Sequence, residues 1–369
     1  QGHMVRAVQL AKCGQYTTSP NPRVGCVIVK DGKIVGEGFH IKAGEAHAEI
    51  HALEQAGELA KGATAYVTLE PCSHFGRTPP CALALIKYGV SSVVCAMEDP
   101  NPHVAGKGFE LLSEAGIEVT TGLLAEEAAL INPGYIQRIS QGKPRVRCKL
   151  ASSLDGKTAM SNGESQWITS KDAREDVQRL RAESCAIVTS AVSVIRDKAR
   201  MNVRKNELLG SIEQAYPTAE IRQPLRVIID SQNRLTPDLP LFSEPSPVLI
   251  IRTTLENNHT WPHFVEQVSV PKATNSTHVC LTALMKLLAQ RGLNEILVEA
   301  GNQLAGAFIE RRMVDELILY QAPKLMGASA MSLVDMPSIE RLDDAILLSI
   351  TDVRNVGPDI RITAKINEK

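Results

Sequence analysis

Apolar and polar residues alternate with a strand-like period at several places in the first 140 residues. Two β-rich runs in residues 23–40 are separated by Lys30-Asp31-Gly32, a sequence that favours a tight hairpin turn. Helical and strand patterns then follow one another, which is typical of a layered α/β domain with a mixed sheet. The predicted elements are a helix at 46–60, a strand at 63–70, a helix at 81–89, a strand at 90–97, a helix–strand step at 107–122 and a helix at 125–139.

The pattern restarts after residues 140–144, a short polar stretch with Gly and Pro that we interpret as a linker. The second half again mixes strands and helices, so the chain is predicted to form two α/β domains, 4–143 and 144–369. Its predicted elements are strands at 145–153, near 185–190, 225–230 and 247–252, at 294–301 and 315–323 and two within 346–366, with helices at 171–183, at 281–292 and from 301 to 312.

Composition and charge argue against a nucleic-acid-binding, membrane or secreted protein. The 369 residues are 44% hydrophobic and 22% charged, a normal globular balance. Lys and Arg number 40 against 41 Asp and Glu, which is unlike the basic footprint of a nucleic-acid binder. No apolar stretch approaches the ~18 residues that span a bilayer, and no secretory signal is recognisable. We therefore expect a cytoplasmic protein, and we interpret the residues before Met4 as a cloning remnant.

The cysteines divide into structural and chemical candidates. There are 8 of them, and without an export signal we expect them to be reduced. Six are interpreted as structural, because they lie in or beside apolar runs or in a helical stretch. These six are Cys13, Cys26, Cys95, Cys148, Cys185 and Cys280. Cys72 and Cys81 differ, because they flank a polar loop.

The stretch "HAEIHALEQAG" (47–57) supplies the other half of a candidate metal site. A catalytic zinc takes three protein ligands and leaves a fourth position open. His47 at a helix start, Cys72 after a strand and Cys81 at the next helix start are the predicted ligands. Glu49 would not ligate but would shuttle protons. This order, His-x-Glu followed by Pro-Cys and a second Cys, matches the general signature of zinc deaminases.

Other histidines near this motif leave alternatives open. His51 lies four residues after His47 and could suggest a two-histidine site, but position 48 is Ala, so we interpret His51 as supporting or structural. His40 and His74 could each touch a substrate, and His74 lies in the loop between the cysteines. That loop, "SHFGRTPP", places eight residues between Cys72 and Cys81, whereas the general signature has two.

Longer motifs make the chain recognisable. "TTSPNPRVGCVIVKDGKIVGEGFH", "AGEAHAEIHAL" and "VTLEPCSHFGRTPPC" closely resemble the deaminase half of the bifunctional riboflavin-biosynthesis deaminase/reductase family. "KLASSLDGKTA", "GESQWIT" and "VEAGNQLAGAFI" resemble its reductase half. The resemblance implies a cytidine-deaminase-like three-layer domain followed by a dihydrofolate-reductase-like domain.

The resemblance also implies two consecutive reactions. The first half would be a zinc-dependent hydrolase that deaminates a 2,5-diamino-6-ribosylamino-4(3H)-pyrimidinone 5′-phosphate. The second half would be an oxidoreductase that uses NADPH to reduce the ribosyl group of the product to ribityl. The expected partner is this small molecule, with no nucleic acid and no membrane, and the family's habit suggests a homodimer through the reductase halves.

Carried over residue by residue, the resemblance implies two sets of contacts in the second half. The predicted cofactor site consists of Ala151, Trp167, Thr169, Ser193, Asp197 and the segment Gly301, Asn302, Gln303, Leu304, Ala305, Gly306 and Ala307. This segment enters a helix from a strand, and N–H groups at such a helix start can hold phosphate. The predicted substrate contacts are Ser165, Arg181, Arg204 and Glu299. Lys149 is a further candidate to polarise or protonate the sugar, and Asn21 could hydrogen-bond the pyrimidine edge.

One segment departs from the family pattern, and two other functions compete with this interpretation. In "VIRDKARMNVR" (194–204) only Asp197, Val203 and Arg204 match the family. The first alternative is a tRNA or nucleotide deaminase whose C-terminal half binds a nucleotide without catalysis. The second is a non-catalytic zinc module coupled to a nucleotide sensor. Glu49 and the open fourth metal position favour catalysis over the second alternative.

Overall fold

The computed structural model of the chain describes two compact units. The described residues are 1–73, 75, 79–102, 104–212, 221–255 and 258–367. One unit is built from Gln1–Lys143 with Ile212–Arg222, and the other from Pro144–Ser211 with Gln223–Lys369. No helix among the described residues is both long enough and apolar enough to cross a bilayer.

The first unit contains a mixed five-stranded sheet, as the sequence predicts. Its strand order is β2-β1-β3-β4-β5, in which β1 is antiparallel to both neighbours and β3, β4 and β5 are parallel. The elements are α1 (Gly2–Cys13), β1 (Gly25–Lys30), β2 (Lys33–Phe39), α2 (Ala48–Ala56), β3 (Thr64–Val67), α3 (Cys81–Tyr88), β4 (Ser92–Cys95), α4 (Lys107–Glu114), β5 (Glu118–Thr121), α5 (Ala125–Ala129) and α6 (Pro133–Gln141).

The predicted hairpin is confirmed, with Asp31 and Gly32 as its turn. Their φ angles are 49° and 74°, and a two-residue turn with positive φ at both positions matches the twist of the flanking strands. On β1, Cys26 and Ile28 pack against α2 and α3. The alternate residues Val27 and Val29 pack with α1 on the other face, so the sheet is the middle of three layers.

The single helix predicted at 125–139 is wrong, because the structure has two helices there. α5 ends at Ala129 and α6 begins at Pro133. Proline lacks an N–H, and the residue before it disfavours helical backbone. Asn132 instead exchanges hydrogen bonds with the backbone of Arg23, at 2.8 Å from the Arg23 nitrogen and 2.8 Å from its carbonyl oxygen. α6 also extends into the predicted linker, which leaves only three residues before the next strand.

The second unit is built on a nine-stranded sheet with the order β11-β10-β9-β8-β12-β6-β13-β16-β15. The strands from β11 to β13 are parallel, and β16 and β15 extend the sheet antiparallel. The elements are β6 (Arg145–Ser153), β7 (Lys157–Ala159), α7 (Lys171–Glu183), β8 (Ala186–Ser190), α8 (Ala191–Asp197), α9 (Lys205–Ile212), β9 (Leu225–Ile229), β10 (Val248–Arg252), β11 (Val265–Ser269), α10 (Leu281–Gln290), β12 (Glu295–Glu299), α11 (Asn302–Glu310), β13 (Glu316–Ala322), β14 (Met331–Ser332), β15 (Leu348–Val356) and β16 (Asp359–Ile366).

Helices cover both faces of this sheet. Cys148 and Leu150 of β6 pack with α10 and α11, whereas Ile187 of β8 packs with α8 on the opposite face. α7 covers Leu297 and Ile318 on that second face. The carboxyl ends of β8, β12, β6 and β13 therefore lie side by side at one edge, the place where open α/β sheets bind ligands.

Candidate active sites

Three side chains from separate elements of the first unit come together in a cluster. His47 precedes α2 as its N-cap, Cys72 follows β3, and Cys81 is the first residue of α3. His47 Nδ1 lies 3.2 Å from Cys81 Sγ and 3.6 Å from Cys72 Sγ. All three ligand atoms lie within 4.8 Å of one another. The structure thus brings together the three side chains that the sequence predicts as metal ligands.

The chemistry of this donor set suits zinc. One imidazole nitrogen and two sulfurs form a set that zinc favours, and three ligands are typical of its catalytic sites. Hydrogen bonds from the Cys81 thiol, from His47 and from the Cys81 amide (N···Sγ 3.3 Å) outweigh burial and lower the pKa of the Cys72 thiol. Cys72 is therefore disposed to be a thiolate, the form in which cysteine binds metals.

Glu49 lies beside the cluster and is buried, with 3% of its surface exposed. Burial, followed by the negative charge of Cys72, raises the pKa of its carboxyl to about 7. Its Oε2 atom is buried and has no hydrogen-bond partner among the described residues. A carboxyl with a pKa near neutrality and an uncommitted oxygen is suited to accept and return a proton.

A polar pair, His40 and Asn21, lies next to His47. The His40 ring packs edge-on to that of His47, with 5.1 Å between centroids. Its Nδ1 lies 3.1 Å from the Ala46 carbonyl oxygen and its Nε2 lies 3.0 Å from Asn21 Nδ2. Burial lowers the pKa of His40 to about 4, so the neutral ring donates through Nδ1 and accepts from Asn21 through Nε2. The Asn21 amide is thereby held in one orientation.

The roles of His51 and His74 stay predictions. His51 has a buried Nε2 without a partner among the described residues, and a supporting or structural role remains a prediction for it. His74 lies outside the described residues.

In the second unit, the structure brings two predicted cofactor segments together. Gly301 is the N-cap of α11 after β12, and Ser193 lies in the first turn of α8 after β8. A Cβ built on Gly301 would have Ser193 Oγ as its nearest neighbour, at 4.0 Å. The space in front of the Gly301 backbone is therefore open.

The helix geometry narrows the predicted phosphate-binding segment. The Ala305 amide bonds to the Gly301 carbonyl at 3.1 Å, so it belongs to the regular helix. Ala305 and Gly306 are buried. The amides ahead of that bond, on residues 302–304, are the ones that a helix start leaves for an anion.

The other predicted cofactor residues lie on β6, at the end of α8 and in the loop before α7. Ser165 Oγ donates to Asp197 Oδ1 at 3.3 Å, which ties the loop before α7 to the end of α8. The Trp167 ring is 63% exposed, and the Arg174 guanidinium lies over it at 4.4 Å from the centroid. Two further residues of this set bond through their carbonyl oxygens: Ala151 accepts from Thr158 Oγ1 at 3.1 Å and Thr169 accepts from Arg174 at 2.9 Å.

Arg181 and Glu299, two of the four predicted substrate residues, form a charged cluster with Lys149. Arg181 binds Glu299 through two hydrogen bonds, Nε to Oε1 at 2.6 Å and NH2 to Oε2 at 2.9 Å. Lys149 of β6 is the register partner of Glu299 on β12. Burial lowers the pKa of Lys149, against the opposing charge of Glu299. Arg204 makes two hydrogen bonds to Glu207, at 2.6 and 2.7 Å.

Comparisons with known proteins match both halves of the chain. The model of the RibD C-terminal domain matches residues 144–362, and that of the cytidine and deoxycytidylate deaminase zinc-binding region matches residues 1–97. The chain is 52% identical to riboflavin biosynthesis protein RibD of Escherichia coli K12, over 97% of each protein. It is also 52% identical to RibD of Haemophilus influenzae, over 98% of the chain and 95% of that protein.

The chain belongs to the RibD family. Solved RibD structures have the same fold: that of Acinetobacter baumannii, form 1, is 42% identical with a TM-score of 0.88, covering 100% of this chain and 98% of that one. A Thermotoga maritima deaminase/reductase is 31% identical with a TM-score of 0.84, covering 99% and 98%. RibD is a bifunctional enzyme of riboflavin biosynthesis, with a zinc-binding deaminase domain and a reductase domain that uses NADPH.

The family's sequence motifs do not reveal several contacts that the structure shows. The pairing of Arg181 with Glu299 spans 118 positions, and no local pattern reports it. The bond between Asn21 and His40 is equally hidden, although both residues lie in a motif of the family. Glu70, which precedes Pro71 and Cys72 within a quoted motif, is buried, and the motif does not show which groups it bonds to. A charged residue between a strand and a Pro-Cys pair is the one available signal for it.

Proposed function

We propose that the first unit deaminates a diaminopyrimidinone ribosylamine 5′-phosphate and that the second reduces the ribosyl group of the product to ribityl. The Thermotoga maritima relative is described as a diaminohydroxyphosphoribosylaminopyrimidine deaminase and a 5-amino-6-(5-phosphoribosylamino)uracil reductase. The single observation that carries the proposal is the cluster of His47, Cys72 and Cys81 with the buried Glu49 beside it. The proposed division of the chain is a deaminase domain of residues 4–143 and a reductase domain of residues 144–369.

In the deaminase unit, His47, Cys72 and Cys81 would hold the zinc ion. Bound zinc supplies Lewis acidity and lowers the pKa of water to about 7. Glu49 would accept a proton from the attacking water and deliver it to the ring nitrogen and then to the departing ammonia. The buried, unpartnered Oε2 and the raised pKa of this carboxyl support that role.

Asn21 would hydrogen-bond an edge of the pyrimidine. Its Nδ2 is engaged by His40, so its carbonyl oxygen is the atom left to accept a hydrogen bond from a substrate N–H. The Ala46 carbonyl holds the His40 ring in turn. His40 would thus act on the substrate through Asn21.

In the reductase unit, the first amides of α11 would hold a phosphate of the cofactor. The open space in front of Gly301, with Ser193 facing it, supports this assignment. NADPH supplies the hydride when it is bound. The remaining proposed cofactor contacts are Ala151, Trp167, Thr169 and Asp197, and within the predicted segment the proposal is confined to residues 302–304.

The substrate of the reductase would meet the charged cluster. Ser165, Arg181, Arg204 and Glu299 are the proposed substrate contacts. Because Arg181 already makes two bonds to Glu299, we propose that it acts by orienting that carboxylate. The lowered pKa of the half-buried Lys149 supports a role as proton donor to the sugar.

We also propose a homodimer through the reductase unit and a cytoplasmic location. β15 is one of the two edge strands of the nine-stranded sheet, and its Ile350 and Val353 are 63% and 59% exposed. An exposed apolar edge strand requires a cover, and a second copy would supply one. All the cysteines lie among the described residues and none is in a disulfide, which supports a reducing compartment.

Zinc content and ammonia release test the proposed metal ligands together. Wild-type protein should bind one zinc per chain, and Cys81→Ser should lose zinc and ammonia release, because a hydroxyl is a poorer ligand than a thiolate. Cys280→Ser is the matched control, since Cys280 is the N-cap of α10 and serine suits that position. Full zinc content in Cys81→Ser would refute the ligand assignment.

A further inference from the structure

Glu70 is a buried carboxylate with no role in the site described above. It lies two residues before Cys72, at the carboxyl end of β3, and only 4% of its surface is exposed. A buried charge of this kind is costly unless hydrogen bonds compensate it. The partners of Glu70 therefore indicate what the residue is for.

Within the part of the chain that the structure describes, this carboxylate accepts its hydrogen bonds from backbone amides of one segment. We call residues 99–102 and 104–108 the 99–108 segment. Glu70 Oε2 accepts from the amides of Asp99 at 3.2 Å and Gly106 at 3.0 Å, and Oε1 accepts from the Gly108 amide at 2.9 Å. Both oxygens act as acceptors, a pattern that a carboxylate satisfies and a carboxamide does not.

A close backbone contact holds the same segment at a second point. A Cβ built on Gly108 would overlap the carbonyl oxygen of Pro71, the residue immediately before Cys72. The Glu70 amide also donates to the Met97 carbonyl at 3.0 Å, which joins the ends of β3 and β4. The segment is therefore bound directly to the chain that carries a proposed zinc ligand.

The 99–108 segment lies at the edge of the sheet where the proposed zinc ligand Cys72 follows β3. It leaves the carboxyl end of β4 and enters α4, beside the strand end that leads to Cys72. Ligands of open α/β sheets bind outside the carboxyl ends of the parallel strands. Asp99 and Asn101 add polar groups there, with the Asn101 amide donating to Asp99 Oδ1 at 2.9 Å.

We propose that Glu70 is a positioning residue that holds the 99–108 segment against the deaminase site and thereby sets the affinity for the substrate. Among the described residues, Glu70 makes no side-chain hydrogen bond to a proposed zinc ligand. It would therefore act by fixing the position of the 99–108 segment. The inference rests on the zinc ligands proposed above.

Glu70→Gln tests the proposal, because it replaces one acceptor by an NH2 group that faces a backbone donor. We expect the KM of ammonia release to rise about tenfold or more, the scale of an unsatisfied buried group. Zinc content, kcat of deamination and the KM of the reductase should stay within about twofold of wild type. Glu98→Gln, an exposed neighbour with the same change of charge, is the matched control and should behave as wild type.

Gly108→Ala provides a second test that changes no charge. Its methyl group would push the segment away from Pro71, and it should raise the same KM without affecting the reductase. An unchanged KM in both variants, or a loss of zinc and kcat at constant KM, would overturn the proposal. If Glu70→Gln does not fold, Gly108→Ala alone decides. Zinc retained in Cys81→Ser would instead refute the proposed zinc ligands. That outcome is distinguishable from an unchanged KM in the Glu70 and Gly108 variants, which would refute the role of Glu70.

Discussion

The pair formed by Arg181 and Glu299 supports the most quantitative prediction. The two side chains are only 12% and 9% exposed and share two hydrogen bonds, and Arg181 also donates to the Asn202 carbonyl at 2.9 Å. Glu299→Gln keeps the size of the side chain but removes the negative charge that bonds directly to the Arg181 guanidinium. Removing one partner of a buried ion pair costs about 3–5 kcal/mol.

Urea unfolding followed by tryptophan fluorescence measures this cost. The chain has 2 tryptophans, at 167 and 261, so the signal reports the second unit. We expect Glu299→Gln to lower the free energy of unfolding by about 3–5 kcal/mol, and Arg181→Met combined with Glu299→Leu to recover much of that loss. A loss below about 1 kcal/mol for Glu299→Gln would refute the buried pairing.

The pH dependence of the same measurement has a definite sign. Burial alone would raise the pKa of Glu299, but Arg181, followed by Lys149 and Arg204, brings it below its usual value. The stabilisation is therefore fully present above the unfolded pKa of about 4.3 and is lost as pH falls through the lower folded pKa. Glu299→Gln should flatten this acid limb of the stability curve.

Two further predictions concern the cofactor and the dimer. Gly301→Ala should leave NADPH affinity within about threefold of wild type, whereas Gly301→Val should lower it at least about tenfold, because a branched side chain blocks the approach to the α11 amides. Equal NADPH affinities of Gly301→Val and wild type in a fluorescence titration would contradict the phosphate assignment. Ile350→Lys should convert a dimer to a monomer in analytical ultracentrifugation. Lys365→Glu, on the neighbouring strand β16, controls for the change of charge and should remain a dimer. A dimer that persists in Ile350→Lys would place the interface elsewhere.

Regular elements with a clear period were predictable from the sequence. β6 and α7 have the predicted bounds, because polar and apolar residues alternate through the first part of β6 and α7 is an amphipathic run of 13 residues. β7, β14 and α8 were not predicted, since they are 3, 2 and 7 residues long and too short to show a period. Pro133 is a signal for a helix break, but the helical patterns on both sides of it led to the prediction of one continuous helix.

The candidate sites were predictable where chemistry is written in local motifs. His47, Glu49, Cys72 and Cys81 lie in two short stretches, and the structure brings the three proposed ligands together. Contacts between distant positions were not predictable, because they depend on how strands are ordered in the sheet. The three amides on Glu70 come from residues 29, 36 and 38 positions away, and only the folded chain shows them.

The central claim is that each unit carries its own chemistry, and Glu49→Gln tests it most directly. Glu49 is not a proposed ligand, so zinc should stay bound, while ammonia release should fall by about 100- to 10,000-fold. NADPH-dependent reduction of the pre-formed deaminated substrate should proceed at the wild-type rate, because the change lies in the other core. Deamination at the wild-type rate, or a parallel loss of reduction, would contradict the account.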